Sequence, residues 1–401
     1  MMSVFRDFKQ DFSLSAMVAG LLAVTISYAG PLVIFFQVAE SAGIGTEMMT
    51  SWIWAVSIGS AIGSIVLSLR YKVPILLAWS IPGTALLVSL FPSLSLGEAV
   101  GAYLIAGLIT LMIGMSGYFD KVLHCIPQGI AGGMMAGILF GFGLGAFNAF
   151  GAEPVLACSM LVVYLIAKRF APRYAIVWVL LTGLLVAFFS GLIQTKGPFA
   201  ISIAKPLFIA PEFSWQAVFN LALPLVILNL TGQFLPGMAL IKLNNYQVSS
   251  QPIINSASLL SLAVAVFGGI SIVLAAVTSA LCMGKDCHEN PDKRYIGGVF
   301  NGVFYLVGAV FAGSLVGLFA MLPKSLIAML AGLALLGALL TNLGIAMQHS
   351  EQKEPALITF LVTASGMSLF GLSSVFWGIV FGMIGFYFYK PKHQKLMKKT
   401  K

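Results

Sequence analysis

Apolar residues recur in long runs from one end of this chain to the other, separated by short breaks rich in Gly, Pro or charged residues. The runs cover 14–37, 51–69, 73–90, 97–117, 127–147, 154–169, 174–194, 217–241, 255–269, 270–284, 296–319, 323–345, 355–371 and 374–389. Many have the roughly 17–25 residues that a helix needs to cross a bilayer. The pattern predicts an all-α polytopic membrane protein with fourteen transmembrane segments. Connectors at 148–153, 268–270 and 371–374 read as tight. The longest connector, 195–216, holds three prolines and follows the seventh segment. It leaves two sets of seven. Seven is odd, so equivalent segments cross in opposite directions, which is the arithmetic of an inverted repeat.

Two sequence echoes fit that repeat. Ile126-Pro127-Gln128-Gly129-Ile130 opens the fifth segment, and Leu322-Pro323-Lys324-Ser325-Leu326 opens the twelfth, 196 residues later. Gly83-Thr84-Ala85-Leu86 in the third segment is answered by Thr278-Ser279-Ala280-Leu281 in the tenth, 195 residues later. The third segment also interrupts itself, reading Trp79-Ser80-Ile81-Pro82-Gly83-Thr84. Backbone groups in hydrocarbon need partners, so a break at mid-depth is tolerated only inside protein or beside a cavity. A proline in the first turn of a helix loses no bond. The expected shape is a strand over 73–80 running into a half-helix near Pro82, with the Gly83 and Thr84 amides facing open space. Residues 270–276, rich in β-branched side chains, would form a second strand, with Thr278 and Ser279 capping a second half-helix. Two positive helix ends near the midplane would make an anion seat without a basic side chain. The plainer alternative is a proline kink with hydroxyls bonded to the preceding turn.

Two more segments carry polar interruptions. The first contains Ser27-Tyr28-Ala29-Gly30-Pro31, and the eighth contains Asn229-Leu230-Thr231-Gly232-Gln233 before Pro236-Gly237. Asn229 and Gln233 are four apart, hence on one helix face. Unpartnered buried amides are costly, so they should meet a substrate, each other or a neighbouring helix.

Composition narrows the class. The chain is 59% hydrophobic and 9% charged over 401 residues, with mean hydropathy +0.99. A soluble domain has about 25% charged residues, so no water-facing surface can be built from this set. The formal charge of +9 is not a nucleic-acid footprint, because the basic residues mark segment ends and the last twelve residues. With both termini cytoplasmic, 19 of the 22 basic residues fall inside, leaving Lys196, Lys205 and Lys324 outside, as the positive-inside rule requires. The N-terminus carries acids and has no small-residue cleavage site ahead, so the first segment reads as retained.

Missing chemistry is informative too. No Asp, Glu, Lys, Arg or His falls well inside an expected span; Glu40, Glu98, Asp120 and Glu153 lie at span ends, and Asp286, Glu289 and Asp292 follow the tenth segment. Intramembrane carboxylates usually mark cation or proton paths. Their absence favours an anionic or neutral substrate held by dipoles, and argues against an intramembrane enzyme, which needs a nucleophile and base or metal ligands at depth. Cys125, Cys158, Cys282 and Cys287 form no CxxC pair. Neither a metal nor a cofactor is expected.

Tyr28-Ala29-Gly30-Pro31, the AWSIPGTAL break (78–86), the IPQGIAGGMMAGILFGFG run (126–143) and Asn229…Gly232-Gln233-Phe234 resemble the benzoate/proton symporter (BenE) family over nearly the whole chain. The resemblance implies grouping with transporters of the uracil-permease, or nucleobase–ascorbate, fold. It implies a core domain of segments 1–4 (1–117) and 8–11 (217–319). A gate domain of segments 5–7 (118–194) and 12–14 (320–401, with the basic tail) would move against it, joined by the linker 195–216, often within a homodimer. Asn229 and Gln233 stand where nucleobase carriers of this fold commonly use Glu and His, and 276–281 lacks their Glu, which disfavours a nucleobase.

The expected function is therefore a secondary transporter of the cell inner membrane that imports an aromatic carboxylate with protons by alternating access. Its carboxylate would sit between Gly83-Thr84, with Ser80, and Thr278-Ser279. Asn229 and Gln233 would hydrogen-bond it, and Tyr28 and Trp79 would pack on the ring or else serve as core aromatics. A carrier of another small anion or of a purine or pyrimidine is the rival reading.

Overall fold

The first apolar run folds as two helices, α1 (Leu14–Ala29) and α2 (Leu32–Ser41). Pro31 explains the break, since it has no N–H to donate and its ring crowds the carbonyl one turn earlier. The computed structural model containing them describes residues 10–91, 93–193 and 202–389. Arg6, Lys9, Lys196 and the C-terminal lysines lie outside that set.

After α3 (Thr46–Tyr71) the chain turns through Lys72 in the left-handed region, φ 53°. It then forms β1 (Leu77–Trp79) and the half-helix α4 (Ile81–Leu90). α5 (Leu96–Ser116) starts with a capping box of Ser95 and Glu98. The short α6 (Phe119–Cys125) leads to α7 (Gln128–Ala152), α8 (Pro154–Phe170) and α9 (Ala175–Phe189). The expected connector 148–153 is helical almost to its end, so only Glu153 separates α7 from α8. Next come α10 (Trp215–Leu243), α11 (Ser250–Ala265), β2 (Ile272–Leu274) and a second half-helix, α12 (Ala276–Met283). α13 (Tyr295–Val310) and α14 (Ala312–Ala320) meet at a 68° bend. The described chain ends with α15 (Lys324–Ala346), α16 (Lys353–Ala364), a small hairpin at 368–373 and α17 (Ser374–Tyr389). Among the described residues, six helical stretches are long and apolar enough to cross a membrane, or seven with the bent pair counted as one. This is a predominantly helical membrane protein.

β1 and β2 pair antiparallel, Leu77 with Leu274, Ala78 with Val273 and Trp79 with Ile272. The strands are shorter than the expected 73–80 and 270–276, because helices supply the remaining partners. Ser64 of α3 accepts from the Leu77 N–H (2.9 Å) and donates to the Leu77 carbonyl (3.3 Å). Ser261 of α11 does the same for Ile272, at 2.8 and 3.2 Å. Ser68 serves Ile75 likewise. A two-stranded ribbon has two open edges, which hydrocarbon cannot satisfy; buried serines close them.

Packing sorts the helices into two groups. α13 lies on α3 and α1, while α11 lies on α5 and α3. Separately, α7 packs on α15 and α16, α16 on α17, and α8 on α9. Contacts between connectors also fall into two sets. At one end Lys293 pairs with Asp11 at 3.1 Å, Lys72 donates to the Tyr295 hydroxyl, and Tyr246 donates to the Pro291 carbonyl. At the other, Lys324 pairs with Glu40, Ser95 donates to Glu212, and Gln216 donates to the Gly371 carbonyl.

Candidate functional site

Both half-helices start directly beyond the ribbon, and their first turns differ. In α4 the N-cap is Ser80, whose Oγ accepts from the Gly83 N–H at 3.2 Å. The Ser80 carbonyl takes both the Thr84 N–H and the Thr84 hydroxyl at 2.9 Å. The expectation that the Gly83 and Thr84 amides face open space is therefore corrected: Ser80 occupies them. Helix formation begins at Ile81, placing Pro82 second, where its missing donor still costs nothing. Gly83 is a packing glycine. A Cβ there would lie 2.4 Å from Leu225 Cδ1 of α10, so no ligand approaches that backbone. Ser80 and Thr84 are fully buried.

α12 begins with Ala275 as N-cap, in nearly the same backbone conformation as Ser80 but with no side chain able to cap. Thr278 and Ser279, expected as caps, lie inside the helix instead. The Ser279 N–H closes the first turn onto the Ala275 carbonyl at 3.2 Å. The N–H groups ahead of it are left to outside acceptors. Ser279 is 1% exposed, and its Oγ has no hydrogen-bond partner. At the other end of α12, buried Arg294 donates to the Met283 carbonyl at 2.7 Å, so a side chain serves the C-terminus while the N-cap residue supplies none.

α10 runs beside both half-helices. Its 223–229 stretch packs on α4, 230–234 on β2, and 235–243 on α12. Two π-turns, Val218–Ala222 and Leu230–Phe234, interrupt it, each just ahead of a proline, Pro224 and Pro236. A proline cannot donate to the carbonyl four residues back and crowds it, which widens the preceding turn. Pro224 and Pro236 were the signals for these turns. Asn229, next to the second one, is 2% exposed and its Oδ1 has no partner. Gln233 sits within that turn and is partly exposed. An unsatisfied buried polar atom costs about 1–3 kcal/mol, so Asn229 and Ser279 are costly unless a ligand completes them.

Tyr28 and Trp79 belong to an aromatic cluster. They stack at 6.0 Å, and Tyr305 meets both edge-on at 5.7 and 6.0 Å. Phe35 also packs on Trp79. The Tyr28 hydroxyl bonds Ser57 at 2.7 Å. With Trp79 only 1% exposed, its place is that of a core aromatic under the ribbon. Tyr305 and the α3 serines went unnoticed in the sequence; the run Ser57, Ser60, Ser64 and Ser68, three to four apart, was the available signal.

Two cavities lie between the packing groups. One of about 270 Å³ is walled by Gln37 of α2, Ala85 and Ser89 of α4, Phe142 of α7, Thr363 of α16 and Val375 of α17. A smaller one of about 50 Å³ lies among Thr231 and Gly232 of α10, Met135 of α7 and Asn342 of α15. The first is beside the hairpin end, the second beside the Gly129–Gln352 contact. The cavities, and the buried Ser279 and Asn229, present neutral groups only. Among the described residues no three His, Cys, Asp or Glu side chains gather as metal ligands.

The paired half-helices and their buried neutral polar atoms belong to a chain whose family is described as a membrane transport protein, not an enzyme. The chain belongs to the family described as Benzoate membrane transport protein (BenE), which matches residues 10–387. It is 58% identical over 393 residues to the Benzoate membrane transport protein of Acinetobacter baylyi, covering 98% of this chain and all of that one. It is 37% identical over 366 residues to the Inner membrane protein YdcO of Escherichia coli, covering 91% and 93% of the two chains. Its fold is similar to the transmembrane domain of a cyanobacterium bicarbonate transporter, BicA, with TM-score 0.56, 16% identity and coverage of 93% and 97%.

Proposed function

We propose that this protein is a secondary transporter of the inner membrane that imports benzoate or a closely related aromatic carboxylate with protons by alternating access. The observation that carries the substrate is the 58% identity, end to end, with a protein named for benzoate transport. The site supports it with neutral polar atoms at Asn229 and Ser279 in an otherwise apolar setting.

The architecture we infer has fourteen segments in two inverted sets of seven, as in the uracil-permease arrangement. Its support is the ribbon. The central pair, Ala78 and Val273, is 195 residues apart, the spacing of the Gly83-Thr84-Ala85-Leu86 echo. Ser80 N–H to Ser271 O and Ala275 N–H to Leu76 O are equivalent bonds under the same shift. So are the serine-closed edges at Leu77 and Ile272. The division we infer is a core domain of 1–117 and 217–319 and a gate domain of 118–194 and 320–401, and the two packing groups are what supports it. The end carrying Asp11, Lys72 and Lys293 is assigned to the cytoplasm, where the positive-inside rule puts it. The carboxyl group is seated at the α12 first turn, with Ser279, Thr278, Asn229 and Gln233 around it. Movement of core against gate opens the two cavities in turn.

Uptake of radiolabelled benzoate into proteoliposomes with an inward proton gradient tests this. Accumulation that collapses with a protonophore is expected. If purines or small inorganic anions compete and benzoate does not, the substrate assignment fails.

A further inference from the structure

We infer that the substrate is held as the neutral carboxylic acid, so the translocated proton travels on the substrate rather than on a protein side chain. The inference rests on the proposed aromatic-carboxylate function and names the form of that substrate.

Four observations converge on it. First, one of the two expected anion-binding helix ends is closed, because Ser80 takes the Gly83 and Thr84 amides. Second, every Lys and Arg among the described residues lies at a helix end or in a connector, so no cation offsets a buried carboxylate. Third, the Asn229 Oδ1 is an acceptor buried without a donor. An ionised carboxylate offers acceptors only, whereas a carboxylic acid adds one O–H donor. The acid can donate to Asn229 Oδ1 and accept on its carbonyl from the Ser279 hydroxyl, also unpartnered, or from the bare α12 amides. The anion could take only the Asn229 amide N–H and would leave Oδ1 without a donor.

Fourth, the acids on the elements around the half-helices are engaged at helix ends, Glu40 with Lys324 and Asp11 with Lys293. α4, β2 and α7 contain no Asp, Glu, His, Lys or Arg in their described residues. α5 brings Tyr103 and, at its end, Glu98, which accepts from the Ser95 N–H; α17 brings Tyr387, near its far end. α10 has Lys242 in its last turn, α12 has Cys282, and Arg294 is spent on carbonyls. Tyr28 and Tyr305, from α1 and α13, are phenols, which ordinarily ionise near pH 10. Binding then joins a carboxylate and one proton from solvent by a single O–H bond. Release on the other side breaks that bond and returns both. Each cycle moves one proton per carboxylate and no net charge.

Calorimetric titration of the intact protein near pH 7, in two buffers of different protonation heat, reads this directly. Uptake of one proton per benzoate is expected, with Kd rising about tenfold per pH unit above the carboxyl pKa, near 4 for such acids. Benzamide, neutral and able to donate an N–H to Asn229, should bind with no proton uptake and a flat pH profile. Benzenesulfonate, which stays ionised, should not bind. Benzoate binding without proton uptake, proton uptake with benzamide as well, or benzenesulfonate binding as tightly as benzoate would each overturn the inference. If neither benzoate nor benzamide binds at any pH, the substrate reading itself falls.

Discussion

In β1–α4 the first turn of the half-helix is closed by the Ser80 side chain; in β2–α12 the equivalent position is Ala275 and the turn stays open. The two units otherwise share strand length, pairing, backbone conformation at the cap and a serine from a neighbouring helix on the strand edge. Symmetry of the backbone thus coexists with asymmetry of chemistry. A satisfied N-terminus contributes stability, whereas an unsatisfied one stores binding capacity. On this account α4 is scaffold and α12 is seat, so changes in the two should produce different kinds of damage.

The largest expected effect is at the seat. Ser279→Leu should lower benzoate uptake at least about a hundredfold, since it removes the buried hydroxyl and fills its space; the check is initial uptake rate at matched protein density. Retained uptake would move the seat elsewhere. At Gly83 the damage should be structural. Gly83→Ala drives a Cβ into Leu225 and should cost about 1–3 kcal/mol as overpacking, read as a lowered unfolding temperature. Ser80→Ala removes a cap and should cost about 1 kcal/mol of stability, again visible in thermal unfolding. A large loss of benzoate affinity with no loss of stability in Ser80→Ala would reverse the assignment of scaffold and seat.

The smallest effects belong to the connectors. Lys324→Ala breaks an exposed pair with Glu40, and exposed pairs are worth about 0–1 kcal/mol. Asp11 is raised by partial burial, but bonds from Lys293 and Tyr295, with the charges of Lys293 and Lys72, outweigh this and hold its carboxyl below the ordinary 3.8. A depressed carboxyl contributes stability above its unfolded value and loses it as pH falls through the folded one. Contacts of Asp11 should therefore persist at neutral pH and loosen only below about pH 4, which amide exchange at 10–13 would follow.

Much of this was legible in the residues. Pro82-Gly83 within an apolar run and the β-branched stretch at 270–276 located both broken segments, and membrane physics required their strands to be buried. The closed first turn of α4 is not legible because hydropathy and Pro82 point to a helix start near Pro82, whereas it starts at Ile81. One residue earlier, Ser80 becomes the cap and consumes the amides assigned to a ligand. Thr278 and Ser279 have cap chemistry but lie inside α12 for the converse reason, that the helix starts earlier, at Ala276. The π-turns of α10 depend on how Pro224 and Pro236 crowd a preceding carbonyl, which hydropathy does not register. Trp79, for which sequence leaves substrate ring and core both open, packs against Phe35, Tyr28 and Tyr305.

The claim that an uncapped α12 seats the carboxyl group is tested most directly by Ala275→Ser, which gives α12 the cap that α4 already has. Benzoate affinity measured by calorimetry should fall about tenfold or more while the unfolding temperature holds or rises, because the serine Oγ competes for the same amides. Unchanged affinity in a stably folded Ala275→Ser protein would contradict the account.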